Sequence, residues 1–466
     1  MLQRRQQLNI DSPLLTLGGV PWTIRHSFEG VQIFGASGSG KTSGSGSAFA
    51  LAMLSAGYGG LVLCAKPGER ALWEWYAKQV GRETDLCVIG GGDPPPYRYN
   101  FLAQPDHTEN VVHLLATIVE IVNGKQSMGG ESSFFVQSAQ ELIRNTVDLL
   151  YLGQGTVSLN DIYEVIVSAP QSREEARSKE WETRSFCAKL LLKARDKANK
   201  SEREANDFRV CSRYWLGYFA GLADRTRSSI VATFTSTADM LMHGLAWQLF
   251  STDTNITPEV AFSGKIIVLD LPLQRYHDLG KLVQGIWKFC FQRAVLARSV
   301  HARTRPVMLW ADESQEFIVA SFDARYQARA RDRRAATVFL AQNISAYYSK
   351  MGDHGEVEAH TLLGNLATRI FHANVDTATN VYASDLISDA WQTVASGGNS
   401  MNAGGWGTSA NGSQQVHKKV LPSVFTSLQR GGGSVEGIIV QNGRVWPTTR
   451  DTYALVSFTQ QGPRSD

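Results

Sequence analysis

Cysteine is scarce in this chain and nowhere clustered. Its five copies, Cys64, Cys87, Cys187, Cys211 and Cys290, are odd in number and lack the close spacing of metal ligands. This argues against a disulfide framework and against structural zinc, and it fits a reducing compartment. A surplus of one charge is also missing. Lysine and arginine number 46 against 43 acidic residues, a formal net charge of +3. Such a chain does not coat itself with nucleic acid, so any contact with a polyanion must be local. The opening Met1-Leu2-Gln3-Arg4-Arg5-Gln6-Gln7 has no apolar stretch behind its charges and does not read as a secretory signal. Thr42 to Ala65 is uncharged and long enough to cross a bilayer, but Gly57-Tyr58-Gly59-Gly60 interrupts it. It reads as a buried helix followed by a buried strand, Leu61–Cys64. No internal repeat or dominant low-complexity block is present. What remains is a globular composition, 43% hydrophobic and 19% charged, expected to be cytoplasmic and without a membrane span of its own.

With 466 residues the chain exceeds one ordinary core and suits a large domain with another set into it. Short apolar runs bounded by turn residues predict buried strands at Val31–Phe34, Leu61–Cys64, Leu86–Ile89, Lys265–Leu271, Val307–Ala311, Thr337–Ala341 and Thr368–Ala373. Helical patterns separate them, which argues for an α/β fold with a mostly parallel sheet and crossover helices. Between the third and fourth strands only helical spacing appears, at Asn110–Val122, Ser132–Leu152 and Leu159–Val167, the last behind the helix-start box Ser158-Leu159-Asn160-Asp161. Ser172–Arg213 alternates charges of both signs, as a solvated helical face does. The division expected is an α/β core, residues 1–104 and 256–466, with an all-α domain, 105–255, inserted. A helical pattern starts at Asp376–Ile387 and fades. The Gly, Ser and Asn-rich Ser396–Ser413 reads as a flexible loop, and Val435–Trp446 as a final hairpin around Asn442-Gly443.

Three motifs carry chemistry. Gly35-Ala36-Ser37-Gly38-Ser39-Gly40-Lys41-Thr42 follows a strand and opens a helix. Small residues let backbone N–H groups turn inward around phosphate oxygens, and the helix N-terminus adds a favourable dipole. Lys41 would reach the β- and γ-phosphates of ATP, and the Thr42 hydroxyl would coordinate Mg²⁺. Val307–Ala311 then delivers Asp312 and Glu313 at a strand's C-terminal end, where open α/β sheets bind ligands. Asp312 suits the Mg²⁺ shell, and Glu313 suits orienting or deprotonating the attacking water. A strand ending in Asp-Glu is by itself common; the phosphate loop gives it meaning. The third motif, Ala336–Asn343, ends a strand in Gln342, a side chain able to sense the γ-phosphate or position water. Arg325, Arg329, Arg331, Arg333 and Arg334 lie between the second and third motifs. They read either as a solvated helix or as a basic track for phosphates.

In this order the motifs resemble the FtsK/HerA superfamily of ring-forming ATPases, and within it the type IV secretion coupling proteins of the TraG/TraD kind. Smaller pieces follow the same order. Lys66-Pro67-Gly68-Glu69 is similar to the family's Asp-x-Lys-Gly-Glu, and Tyr99-Asn100-Phe101-Leu102 to its Tyr-Asn-Pro-Leu. Phe134-Phe135 falls where the family's helical domain begins. Arg225-Thr226-Arg227-Ser228-Ser229-Ile230 is similar to Lys-Thr-x-x-Ser-Ile, and Leu340-Ala341-Gln342-Asn343 to Leu-x-Gln-Ser. Asn365-Leu366-Ala367-Thr368-Arg369-Ile370, then Asp376-Thr377-Ala378, resembles the last core strand and its following turn. Cys64, Phe101 and Ser388 depart from the family's Asp, Pro and Gly, and Gly462-Pro463-Arg464-Ser465-Asp466 has no acidic tail.

The resemblance implies a RecA-like P-loop NTPase core with an inserted all-α domain, working as a homohexameric ring that threads DNA, single-stranded rather than duplex, by hydrolysing ATP with Mg²⁺. It implies a relaxase-type or secretion-channel partner and peripheral placement at the inner membrane face through such partners. It also implies an arginine supplied by the neighbouring subunit, for which Arg369 is the first candidate and Arg227 the second. The alternative is a coupling receptor that delivers protein cargo to a channel, with nucleotide as its switch.

Overall fold

The computed structural model describes residues 9–102, 108–123, 131–352, 354–402 and 405–463. A small antiparallel hairpin comes first, β1 (Pro13–Leu17) and β2 (Val20–Thr23), joined at Gly18-Gly19. Then follow β3 (Val31–Phe34), β4 (Gly59–Leu63), β5 (Leu86–Gly90), β6 (Ile266–Asp270), β7 (Val307–Ala311), β8 (Ala335–Ala341), β9 (Thr368–Phe371), β10 (Asp389–Asn402), β11 (Gly405–Lys418), β12 (Ser434–Gln441) and β13 (Tyr453–Thr459). Nine of these form one sheet in the order β13-β12-β9-β3-β8-β7-β4-β6-β5. The seven strands from β9 to β5 are parallel, while β12 and β13 close one side antiparallel. All seven expected core strands are present, with ends shifted by no more than two residues. Parallel strands buried on both faces read as continuous apolar runs, which is why the sequence marks them so sharply.

Alternate residues of each strand serve two different cores. Val31 and Ile33 face a core that also holds Trp22, Phe49, Trp73, Tyr76 and Trp446. Phe34, Leu61 and Leu63 face the other, continuous with the long helix Leu273–Ala297 and the helical segment between β5 and β6. Among the described residues that segment holds no strand. Its main helices are Thr108–Asn123, Glu131–Gln154, Leu159–Val167, Phe186–Asp196, Glu202–Arg213 and Asp224–Met242. The Ser158 hydroxyl caps the third, accepting from Asp161 N at 3.1 Å as the sequence box predicts. Phe134-Phe135 lies in helix Glu131–Gln154, and those two side chains fall outside the described ones. The charged run 172–213 is a solvated face: Arg173, Glu174, Lys179 and Glu180 are exposed while Trp181, Cys187 and Leu190 turn inward. Among the described residues no helix is long and apolar enough to cross a membrane.

Two expectations are overturned. The glycine-rich stretch is not a loop. β10 and β11 form a two-stranded ribbon in register from Asp389↔Lys418 to Asn402↔Gly405. Small residues lack strand propensity, but a continuous ladder of backbone bonds overrides it. Lys418 locks the base, with Nζ 2.7 Å from Asp385 and 3.0 Å from Asp389. Nor does the final hairpin close at Asn442-Gly443. The chain does turn there, with Gly443 at φ 72°, but β12 pairs with the later β13, and Trp446 only bridges to Asp451.

One buried ion pair fixes the helical layer behind the catalytic strands. Lys288 and Asp323 are 2% and 1% exposed at the side chain, with Nζ 2.5 Å from Oδ2. Gln292 donates to the other carboxylate oxygen at 2.7 Å, and Val319 N donates at 2.7 Å. Removing one partner strands a charge away from water. We expect Lys288→Met to cost about 3–5 kcal/mol of stability, and Lys288→Met with Asp323→Leu to recover part of it. Urea unfolding of the two variants checks this; equal midpoints for the single variant and the parent would contradict it.

Candidate active site

The phosphate loop runs from the end of β3 at the centre of the sheet. Gly35 N donates to Ala341 O at 3.2 Å and Ala36 N to Ala373 O at 3.0 Å, which ties the loop to the ends of β8 and β9. Two glycines are dictated by space. A Cβ on Gly35 would lie 2.3 Å from Ser39 Oγ and 2.9 Å from His372 Cβ. Gly40, at φ 82°, has Val435 Cγ1 2.5 Å from where its Cβ would stand. Lys41 starts a wide helical turn, Lys41–Gly46, that continues as the helix Ser47–Ser55. The Ser39 hydroxyl is buried in the loop with no partner among the described residues. An oxyanion there would give it one.

The strand that leads into Gln342, β8, lies between the phosphate-loop strand β3 and the Asp-Glu strand β7. Three separate stretches of sequence therefore meet at one end of the sheet. The Thr42 hydroxyl donates to Asp312 Oδ2 at 2.7 Å. That pair, a hydroxyl and a carboxylate, is the hard oxygen donor set that magnesium takes. Glu313 N donates to Asp312 Oδ1 at 2.9 Å and helps orient it.

Glu313 occupies the left-handed region, φ 49° and ψ 46°. Its buried carboxylate is ringed by donors. Lys66 pairs with Oε1, Gln342 Nε2 donates to Oε1 at 3.2 Å, Gln315 Nε2 donates to Oε2 at 2.8 Å, and Lys41 Nζ stands 3.7 Å away. Burial alone would raise this carboxyl. The donors Lys66 and Gln315 and the charge of Lys41 outweigh it and hold the group down at about 2. Burial likewise opposes the charge on Lys66, but Asp312 and Glu313 raise it. Glu69, buried close by, has its carboxyl pushed well above the usual range by burial and the Asp312 charge.

The structure thus brings together Lys41, Thr42, Asp312, Glu313 and Gln342. It does not bring Arg369 to them. Arg369 lies opposite Gln32 on β9, two rungs before the end, 7% exposed, and its guanidinium donates to Leu363 O. Its Nε has no hydrogen-bond partner among the described residues. Arg227 is also buried, bonded to Gln171, Leu222 O and Asp224. The basic run is reduced as well. Arg333 donates to Arg298 O at 2.8 Å, Arg334 to Ala302 O and Thr304 O at 3.1 Å, and Arg331 stands 3.4 Å from Glu29. Of the five arginines, Arg325 and Arg329 are exposed without such ties among the described residues.

Sequence reading missed His372, Ser45, Gln315 and the place of Lys66. His372 follows β9, fully buried. Its Nδ1 donates to Glu436 O at 2.7 Å, since a carbonyl only accepts, and Ser45 Oγ donates to Nε2 at 2.7 Å. The only signal was a titratable residue directly after an apolar strand. Burial lowers its pKa from the ordinary 6.5 to about 4, against the Glu436 carbonyl and with help from Lys41. The unfolded chain therefore takes up a proton below pH 6.5 that the folded chain refuses until about pH 4. Stability should fall with pH across that window by roughly 3 kcal/mol in total from this group, and be indifferent to it above. His372→Asn keeps the donor and removes the titration. Its stability should vary less between pH 6.5 and 4 than the parent's; parallel curves would show that His372 is not what titrates.

Comparison with known proteins bears on the fold. Residues 306–424 match the TraG/TraD C-terminal family model, described as the TraM recognition site of TraD and TraG. No curated protein sequence matches the chain significantly. Among solved structures, the unbound bacterial conjugative coupling protein TrwB matches with a TM-score of 0.65 at 14% identity, over 98% of this chain and 90% of that one. TrwB with the non-hydrolysable ATP analogue ADPNP matches at 0.63 and 15%, over 98% and 92%. TrwB with ADP and Mg²⁺ matches at 0.62 and 13%, over 99% and 91%. At these identities the likeness is one of fold, and it extends over almost the whole chain.

Proposed function

We propose that this chain, which shares the coupling-protein fold over nearly its whole length and carries the TraG/TraD C-terminal sequence, is an ATP-driven motor that moves DNA for a conjugative or type IV secretion-like system. The observation that carries the reading is the convergence of Lys41, Thr42, Asp312, Glu313 and Gln342 from three strand ends. TrwB has been solved with the ATP analogue ADPNP and with ADP and Mg²⁺, and the chemistry of this site suits both. On this reading Lys41 and the loop N–H groups hold the β- and γ-phosphates. Thr42 and Asp312 would hold Mg²⁺, which when bound would supply charge to offset that of the phosphates. Glu313 orients the attacking water and takes its proton, and Gln342 links that carboxylate to the γ-phosphate position.

The parts assign themselves accordingly. Residues 1–104 and 256–466 make the ATPase core, and 105–255 a helical domain for contacts outside it. Six copies in a ring would place DNA, single-stranded by preference, along the axis. A relaxosome component of the TraM kind is the partner suggested by the family description of 306–424, and such partners would hold the motor at the inner membrane face. The test is ATP-dependent displacement of streptavidin from the end of a biotinylated single-stranded oligonucleotide. Displacement that needs both ATP and a free strand supports the motor. Binding of DNA and hydrolysis of ATP without displacement would leave a nucleotide-switched receptor instead.

A further inference from the structure

Three donors already engage the carboxylate that should activate water, two of them on the same oxygen. Oε1 of Glu313 receives Lys66 and Gln342 and faces Lys41, and Oε2 receives Gln315. A general base needs a free lone pair within hydrogen-bond reach of the water it deprotonates. Lys66 differs from the other members of the cluster in two ways. It comes from the turn after β4, which borders β7 on the side away from the phosphate loop. Its side chain is also 40% exposed, against 7% for Lys41 and 6% for Glu313. Lys41 is placed for the nucleotide, whereas Lys66 joins the base to the solvent.

We propose that Lys66 is a brake on Glu313: its ammonium occupies the carboxylate until phosphate oxygens outside the nucleotide pocket compete for it and free the base. The inference rests on Glu313 being the base in the function proposed above. An ammonium on a long flexible stem can exchange one oxyanion for another without moving the backbone. A nucleic-acid phosphate is the competitor that the exposure of Lys66 favours, and its arrival would couple occupancy of the motor to hydrolysis. The γ-phosphate of ATP offers the same chemistry from the other side. Lys66 is then a positioning residue, acting through Glu313 and not on the reacting atoms.

The test compares steady-state ATPase of the full chain and of Lys66→Met and Lys66→Arg, with and without single-stranded DNA, each variant checked for parental melting. Lys66→Met should raise the DNA-free kcat by about tenfold, the rate equivalent of one charge-assisted hydrogen bond. KM for ATP should stay the same, and most stimulation by DNA should vanish. Lys66→Arg should restore the low resting rate. A raised kcat together with a raised KM would name the nucleotide's own phosphate as the competitor and overturn release from outside the pocket. A fall in kcat with methionine would place Lys66 in the catalytic machinery and overturn the brake. Unchanged rates in both variants beside an active parent would also overturn it and leave the function standing. A parent inactive in every condition would overturn the function, and the brake with it.

Discussion

Replacing Lys41 with alanine should lower ATP turnover by about a thousandfold, the scale on which phosphoryl-transfer sites depend on a single buried cation. Lys41 is the only side-chain cation of the phosphate loop, and it is 6% exposed. Without it the triphosphate meets mainly backbone dipoles and Mg²⁺. The fold should survive, because Glu313 keeps Lys66, Gln315 and Gln342 as partners. The measurement is kcat at saturating Mg-ATP, with a melting curve as control. A Lys41→Ala chain that is folded and turns over at the parent rate would put the nucleotide elsewhere.

Glu313→Gln should separate binding from hydrolysis. The amide keeps the shape and can still accept from Lys66, but it cannot take a proton. Turnover should fall by about a hundredfold to ten-thousandfold, the range spanned by general-base catalysis. Affinity for ATP should stay within a few-fold, so the variant should trap ATP. Asp312→Asn should behave differently. The new amide oxygen could still accept the Thr42 hydroxyl bond seen at 2.7 Å, but the charge facing the metal is gone. Its ATP affinity should drop in Mg²⁺ and hold in EDTA. Calorimetric titration with a slowly hydrolysed analogue distinguishes the two variants. If Glu313→Gln turns over normally, Glu313 is only a buried carboxylate that neutralises two lysines.

Much of this was legible before any coordinates. Buried parallel strands are apolar throughout, so Val31–Phe34 and Val307–Ala311 announce themselves to the residue. The phosphate loop and Asp312-Glu313 are local patterns whose chemistry fixes their neighbours, and the meeting of Thr42 with Asp312 follows from both. What stayed hidden depends on partners distant in sequence. Nothing near Lys66 says that its ammonium reaches Glu313, 247 positions away. Nothing near His372 points to Ser45, 327 positions away. Arg369 shows the same limit: the start of β9 is readable, but the bond from its guanidinium to Leu363 O in the preceding helix is not. The ribbon β10–β11 was misread because its glycine, serine and asparagine describe a loop by propensity, while its order comes from pairing. The β1–β2 hairpin had its signal in Gly18-Gly19 and went unread.

The most direct test of the whole account is the steady-state ATPase rate of the intact chain in Mg²⁺ with no DNA, with single-stranded DNA and with duplex DNA. A DNA motor with its base held in reserve predicts slow hydrolysis alone and a clear rise with DNA, larger for the single strand. A slow rate that no DNA changes would contradict the motor, and would leave a nucleotide-binding protein that serves some other cargo.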